Sequence, residues 1–290
     1  MITDAIRGAL FSLIRCSLVP YLMRELLQRD KVTIIYYHNP NPTVFEKHIR
    51  ILKRCYNLIP LRRFILAQTN LSDKLPKKSL IVTIDDGNYQ NYELLKIIKK
   101  YNIPVTIFLC SGLIDTSRHF WFRTGISVQE RETLKGYSDR QRLLVLSKYG
   151  FDEHKEYKGR HALSKREIEV MRQIVDFQSH TIFHPILPRC TNQRSYEEIS
   201  GSKIELERKY NLHIYAIAYP NGSYSEREID IAAKCGYECG LTTDIGYNNA
   251  QNIDLYRLKR ISISDDAGVS ELIVRTCGLW ATLKALFKHL

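Results

Sequence analysis

Residues 79–112 read SLIVTIDDGNYQNYELLKIIKKYNIPVTIFLCSG, and the predicted fold rests on their pattern. The apolar, β-branched run 80–84 stops at Asp85 and Asp86, a helical pattern follows, and a second apolar run covers 105–110. These changes of period predict a strand, a helix and a strand. Functional sites of parallel α/β proteins form where such strands end, and two carboxylates placed there need a partner such as a cation. The alternative is a simple turn before the helix.

A second polar group follows another apolar run, at residues 179–185, which read SHTIFHP. His180 and His184 are four residues apart, and two imidazoles on one turn of backbone can converge on one cation. An Asp oxygen would complete a three-ligand site with one position open for water, which is typical of catalytic metals. Pro185 disfavours a longer helix, so a strand-to-loop turn is predicted. A lone histidine pair is more often structural, but strand-end carboxylates favour a catalytic centre.

Three segments together resemble the polysaccharide deacetylase family, the NodB-homology or carbohydrate esterase family 4 group. Residues 83–87 (TIDDG) resemble its TFDDG motif, residues 180–185 (HTIFHP) its H-[ST]-x-x-H-P motif, and residues 218–224 (AYPNGSY) the AYPYGxY form of its third motif. The three occur in the family's order, and the resemblance covers roughly residues 31–265. It implies a distorted (β/α) barrel of about seven parallel strands.

Strand and helix patterns alternate along the rest of the chain. This alternation predicts an α/β domain with a parallel sheet and right-handed crossovers, and the domain is assigned to residues 31–277. The last predicted strand is 256–264. Residues 115–160 break the rhythm and are predicted as an insertion on the strand-end face, either a substrate lid or a membrane-facing loop. A solvated helical excursion is the alternative.

The formal net charge of +12 suggests a phosphate-bearing partner, either nucleic acid or an anionic membrane. No nucleic-acid-binding motif accompanies the charge, so no nucleic-acid partner is predicted. Residues 1–30 and 278–290 both combine apolar with basic side chains, in runs too short to span a bilayer. They are predicted as amphipathic segments that associate peripherally with an anionic membrane. The alternative is that residues 1–30 pack on the domain. A signal peptide is a poor interpretation of this segment, because Arg15 follows its apolar stretch.

The seven cysteines are odd in number, mostly far apart and without a CxxC pair. Reduced thiols explain this usage better than a disulfide framework. Cys235 and Cys239 have no further ligand nearby, so we interpret them as helix packing rather than a metal site. The expected location is the cytoplasm, and peripheral binding at the inner face of the cytoplasmic membrane is the variant left open.

The family resemblance assigns roles by motif position. It implies that Asp86, His180 and His184 bind a divalent metal, with zinc as the expected ion. It implies that Asp85 is the general base that takes a proton from water. The metal would lower the pKa of its bound water and polarise the carbonyl.

The third motif is expected to supply substrate and oxyanion contacts through Tyr219 and Asn221. The backbone N–H of Asn221 is the expected oxyanion donor, because Pro220 has no N–H.

The chain departs from the commonest family pattern at the general acid. The usual members carry a late Leu-x-His motif, whereas residues 255–266 contain no histidine. A subgroup resembling poly-N-acetylglucosamine deacetylases carries an early Tyr-His motif in that role, so His38 is assigned as the general acid. A helix-capping or core histidine is the alternative. Arg260 is expected to orient Asp85, and a surface or lipid-phosphate role is equally open.

These assignments predict a metal-dependent hydrolase that removes N-acetyl groups from an amino sugar. The expected substrate is a cell-envelope or exopolysaccharide glycan or its lipid-linked precursor. One alternative is an O-deacetylase or deformylase on the same scaffold. The other is a catalytically silent carbohydrate-binding module, which should lack the base or a ligand, whereas all four of these positions are filled here.

Overall fold

The computed structural model describes residues 4–69, 74–250 and 253–280, and a curled sheet lies at its centre. The strands are β1 Lys31–Tyr37, β2 Asn57–Leu58, β3 Ser79–Ile84, β4 Val105–Leu109, β5 Val175–Ser179, β6 Ala216–Ala218, β7 Cys239–Leu241, β8 Asn248–Asn249 and β9 Ile261–Ser262. The α-helices are α1 Asp4–Cys16, α2 Val19–Leu22, α3 Pro42–Cys55, α4 Leu61–Thr69, α5 Leu95–Tyr101, α6 Val128–Lys135, α7 Asp139–Ser147, α8 Lys165–Met171, α9 Asn192–Tyr210, α10 Glu226–Lys234 and α11 Val269–Thr276.

The strand order is β7-β6-β5-β4-β3-β1-β8, with β2 beside β3 and β9 beside β1. Every strand pair is parallel except β1 with the short β8, so the predicted parallel sheet is confirmed and one antiparallel strand is added. Tyr37 is in register with Ile84. Consequently His38 and Asp85 leave the sheet side by side, at the edge where β5 also ends.

Side chains alternate along the strands and fill two apolar compartments. Ile35, Val82 and Ile107 pack with residues of the surrounding helices α3, α5, α8 and α9. Ile34 and Ile81 face the opposite way and pack with α4. Because both faces of the sheet are buried, β3 and β4 read as nearly continuous apolar runs, whereas β5 (VDFQS) alternates.

The last segment of the sheet, residues 255–263, differs from the predicted continuous strand 256–264. The backbone of Leu258 exchanges two hydrogen bonds of 2.9 Å with the β7 region, whereas Ile263 donates to β1 at 3.0 Å. The segment therefore changes partner from one side of the curled sheet to the other. As a result a 3-10 turn occupies Leu255–Arg257, and only the two residues of β9 form a regular ladder. The distorted barrel that the resemblance implies is confirmed.

The first helices pack beside the last one. Phe11 of α1 is 2% exposed, and its ring lies edge-on to that of Trp280 with centroids 5.2 Å apart. A π-helical turn at Met23–Leu27 follows α2. In the part of the chain that the structure describes, no helix combines the length and apolar character needed to cross a membrane. Most of the predicted C-terminal amphipathic tail, residues 281–290, lies outside the described residues.

Candidate metal centre and active site

Asp85 and Asp86 follow β3 at a sharp turn. Asp86 and Gly87 have positive φ angles of 72° and 65°, and a Cβ on Gly87 would lie 2.5 Å from the Leu109 side chain. A non-glycine residue at positive φ costs about 1 to 3 kcal/mol, so the surrounding structure must hold it. The backbone N–H of Asp85 donates to Tyr37 O at 2.9 Å. The turn directs both buried carboxylates into one cleft.

The histidine loop, residues 180–184, follows β5 in the same way. Thr181 and His184 have positive φ angles of 68° and 59°. The His184 N–H donates to Thr181 Oγ1 at 3.1 Å, and Trp121 Nε1 donates to His184 O at 2.8 Å. The loop is thus the strand-to-loop turn predicted from the sequence, and its unusual backbone is held by hydrogen bonds.

Asp86, His180 and His184 converge on one point. Asp86 Oδ1 lies 3.6 Å from Nε2 of each histidine, and the three ligand atoms lie within 4.8 Å of one another. Metal–ligand bonds of about 2.1 Å place the ligands of a tetrahedral zinc roughly 3.4 Å apart. Asp86 Oδ1 is buried and has no hydrogen-bond partner among the described residues, so it is available for a ligand. The residues present therefore fit a divalent metal.

Both histidines are in the protonation state that ligation requires. His180 Nδ1 lies 2.7 Å from the carbonyl oxygen of Ala218 and donates to it, which leaves the lone pair on Nε2. Burial, opposed by Asp85, lowers the pKa of His180 to about 4. Burial together with His180 lowers the pKa of His184 to about 3. Neutral imidazole binds metals, and nitrogen and oxygen donors suit zinc.

Arg260 forms a buried, bidentate ion pair with Asp85, and its role in orienting Asp85 stays a prediction. Its two terminal nitrogens donate to the two carboxylate oxygens at 2.8 Å each, and its Nε donates to Thr242 O at 2.8 Å. Burial alone would raise the pKa of Asp85, but the Arg260 charge outweighs it and the pKa is lowered to about 2. Asp85 is therefore ionised at neutral pH. Its role as general base stays a prediction.

His38 lies in the cleft beside Asp85 and not in the core. Its backbone N–H donates to Asp265 Oδ1 at 3.1 Å, and Asn91 Nδ2 donates to its carbonyl at 3.1 Å. The ring packs edge-on against Tyr36 with centroids 5.6 Å apart. The backbone is therefore fixed while the imidazole faces the cleft, as proton transfer requires. Asp265, which also lines the cleft, was not predicted.

The two residues predicted from the third motif take different places. Asn221 lines the cleft and has a positive φ of 57°. Tyr219 is fully buried, stacks on Tyr224 with ring centroids 5.2 Å apart, and is not part of the cleft wall. The structure thus gives no support to a substrate contact from the Tyr219 side chain, because the ring packs against Gly240 in the core.

The predicted insertion forms one wall of the cleft, which has a volume of about 660 Å³. Trp121 packs with Leu134, Leu146 and Phe151 of the insertion, and with Ile186 of the domain, in a small apolar cluster. The side chains that it presents to the cleft are Trp121, Phe122, Arg123, Arg131, Glu132 and Lys135. The insertion therefore lies on the strand-end face, as predicted. Movement as a lid stays a prediction.

Sequence reasoning missed Glu198, which supports the histidine loop. This fully buried residue of α9 accepts hydrogen bonds from the backbone N–H groups of Ile182 at 2.8 Å and Phe183 at 2.9 Å. Its other oxygen faces Arg194 at 2.9 Å. Glu198 thus fixes the backbone between His180 and His184. In the sequence it stands in the polar pattern of a helix, where nothing distinguishes it from a surface glutamate.

The strand ends of this curled parallel barrel carry a buried Asp-His-His set and a carboxylate paired with an arginine. These are features of a barrel hydrolase. A family model described as polysaccharide deacetylase matches residues 72–240. The chain belongs to the polysaccharide deacetylase family. The predicted family and the predicted enzyme class, carbohydrate de-N-acetylases, are thereby confirmed at the level of the family.

Individual relatives agree at low identity. The putative polysaccharide deacetylase YxkH of Bacillus subtilis is 25% identical over 81% of this chain and 72% of its own length. The poly-β-1,6-N-acetyl-D-glucosamine N-deacetylase of Staphylococcus epidermidis is 26% identical over 77% of this chain and 67% of its own. The solved structure of the deacetylase PplD of Streptococcus pyogenes, in complex with acetate, has the same fold. It covers 86% of this chain and 99% of its own, with a TM-score of 0.63 and 23% identity.

Proposed function

We propose that the protein is a metal-dependent hydrolase that removes the N-acetyl group from an amino sugar. The substrate is a glycan of the cell envelope or an exopolysaccharide, or its lipid-linked precursor, and the protein associates peripherally with an anionic membrane. The observation that carries the proposal is the buried convergence of Asp86, His180 and His184 beside Asp85, within the family's barrel. The cytoplasmic location, and the variant at the inner face of the cytoplasmic membrane, stay predictions from the sequence.

Asp86, His180 and His184 would hold the divalent metal, and zinc is the ion we propose. When bound, such an ion supplies Lewis-acid polarisation of a carbonyl and makes water more acidic. All three side chains are buried, and the hydrogen bond from His180 Nδ1 to the Ala218 carbonyl fixes the orientation of that imidazole toward the centre.

The remaining steps fall to the chain's own side chains. Asp85, kept ionised by Arg260, accepts the proton of the attacking water as its oxygen bonds to the acetyl carbon. The Asn221 N–H donates to the developing oxyanion. His38 gives a proton to the sugar nitrogen as the C–N bond breaks. The products are acetate and a free amine, so atoms and charges balance.

The substrate class is supported by the relatives and by the cleft. The Staphylococcus epidermidis relative carries the name of an N-deacetylase of poly-β-1,6-N-acetyl-D-glucosamine. A cleft of about 660 Å³ lies within the range of small-molecule sites and has aromatic side chains, such as Trp121 and Tyr36, in its wall. We therefore favour an N-acetylglucosamine-type residue at the centre.

Product analysis tests the proposal. The full chain is supplied with zinc and incubated with N-acetylglucosamine oligomers, and acetate and free amine are measured together. We expect equal amounts of the two products, and no product from Asp85→Asn. Acetate without amine from an O-acetylated sugar would favour an O-deacetylase, and formate from an N-formylated sugar would favour a deformylase.

A further inference from the structure

The N-terminal helices carry a concentrated apolar surface. Of the 20 large apolar side chains exposed in the described part of the chain, nine lie between residues 6 and 27. Monomeric soluble proteins rarely expose contiguous apolar patches of this kind unless they bind a partner. We call this surface the N-terminal apolar face and define it by five of its members, Leu13, Leu18, Tyr21, Leu26 and Leu27, which are 73%, 74%, 54%, 69% and 54% exposed.

The other side of the same helices is firmly attached to the domain. Phe11 is buried against Trp280, and Ser12 Oγ lies 3.4 Å from Ser270 Oγ of α11. Gln28 is fully buried and donates to the Thr276 carbonyl at 2.6 Å. The helices are thus held by one side, and packing on the domain leaves the N-terminal apolar face uncovered by the residues described here.

Charge identifies the occupant of this face. Arg15 and Arg29 are exposed and close in sequence to the leucines. Of the acidic side chains in this region, Asp30 is also exposed, whereas Glu25 is already engaged by Lys78 at 3.1 Å and by Arg24. The chain as a whole carries a net charge of +12. Exposed leucines flanked by arginines match the boundary between the headgroups and acyl chains of an anionic bilayer.

Trp280, on which α1 packs, lines a smaller cavity beside the active-site cleft. This cavity of about 300 Å³ is lined by Trp280 and Arg275 and by Tyr36 and Thr243. Tyr36 and Thr243 line the main cleft as well. Since Trp280 packs on Phe11 of α1, this cavity extends the cleft toward the helices that carry the apolar face.

We infer that the N-terminal apolar face docks the protein on an anionic lipid bilayer and that the substrate is an N-acetylated amino sugar carried by a membrane lipid. The docking part stands on the surface alone, and the substrate part rests on the proposed deacetylase function. The sugar of such a substrate lies at headgroup level, next to the docked helices, and reaches the metal centre from the side of the smaller cavity.

Vesicle flotation of the full chain tests the docking. Vesicles of phosphatidylcholine, with and without phosphatidylglycerol, are compared for wild type and for the triple variant Leu13→Glu, Leu18→Glu, Leu26→Glu. A matched control carries Val128→Glu and Leu144→Glu, at positions 66% and 64% exposed on the insertion. Insertion of a leucine side chain is worth about tenfold or more in affinity, so we expect the triple variant to lose more than about 100-fold. The control keeps its affinity.

Two results would overturn the docking. One is a wild-type protein that stays unbound with both kinds of vesicle. The other is a lipid-free dimer, seen by sedimentation velocity, that the triple variant abolishes, because the face would then be an interface between two copies. Circular dichroism and hydrolysis of soluble oligomers show that the triple variant is folded.

The substrate part is tested with N-acetylglucosamine attached to a lipid in the same vesicles. We expect the triple variant to lose its rate on this substrate while its rate on soluble oligomers stays within about twofold of wild type. Equal rates of the triple variant and wild type on the lipid-attached sugar would overturn it. If wild type binds vesicles and releases acetate from neither substrate, the proposed function fails and the docking stands.

Discussion

Replacing Arg260 by methionine leaves the Asp85 carboxylate buried without its counter-charge. The pair is bidentate at 2.8 Å, with Arg260 0% and Asp85 3% exposed. The pKa of Asp85 is lowered from 3.8 to about 2, a contribution of about 2 kcal/mol at neutral pH. Breaking a buried pair by removing one partner costs about 3 to 5 kcal/mol. We therefore expect Arg260→Met to lower the free energy of unfolding by about 3 kcal/mol at pH 7.

Urea unfolding of chelator-treated protein measures this loss without a contribution from metal binding. Arg257→Met is the matched control, because its ion pairs with Asp254 and Glu226 lie at the surface and should be worth less than about 1 kcal/mol. The double variant Asp85→Leu, Arg260→Met should regain most of the loss, since no buried charge remains. An Arg260→Met protein as stable as the Arg257→Met control would refute this reasoning. A double variant whose loss of stability equals the sum of the losses in the two single variants would also refute it.

The pH dependence of the same variant has a definite sign. In wild type, the stability that comes from the lowered pKa of Asp85 is fully present above pH 3.8 and is lost as the pH falls through about 2. In Arg260→Met burial is the largest remaining influence, and it raises the pKa of Asp85 against the opposing effects of His180 and His38. The stability difference between wild type and variant should therefore be largest at neutral pH and shrink toward pH 4, in the same urea experiment.

Two further perturbations test the supports of the site. Glu198→Leu leaves two N–H groups of the histidine loop without a hydrogen-bond acceptor. It should therefore weaken zinc binding by about 10- to 100-fold, as measured by competition with a chelator. The control Glu197→Leu, at the exposed neighbouring position, should leave zinc binding unchanged. Burial, with His119 and Arg123, lowers the pKa of His161 to about 4. Wild-type stability should therefore fall as the pH drops from 6.5 to about 4, and His161→Asn should remove part of this fall in thermal unfolding scans, unlike His154→Asn at an exposed position.

The strands and the Asp-His-His cluster were predictable because each leaves a local signal. The change of period at Asp85 marks the end of β3, and Pro185 marks the end of the histidine loop. Ser164 and Glu167 form the capping box that their spacing predicts. The order of the three family motifs then indicated that segments far apart in the chain form one site. Hydrophobic periodicity alone does not indicate this.

The supports of the site were harder to predict because they are contacts between distant residues. Glu198 reaches the histidine loop from the face of a helix, and Asp265 reaches the His38 backbone from the other end of the sequence. Tyr219 belongs to a recognisable motif, yet its ring packs in the core. The segment before β9 has a strand-like composition, but it crosses between two strands and so forms little regular ladder.

Zinc content and acetate release, measured on the same samples of wild type, His184→Ala and Asp85→Asn, test the central claim most directly. The account predicts that wild type binds one equivalent of zinc and releases acetate from N-acetylglucosamine oligomers. His184→Ala should lose the zinc, whereas Asp85→Asn should keep it and lose acetate release by at least about 100-fold. A wild-type protein that binds no zinc when zinc is supplied, or an Asp85→Asn protein that releases acetate at the wild-type rate, would contradict the account.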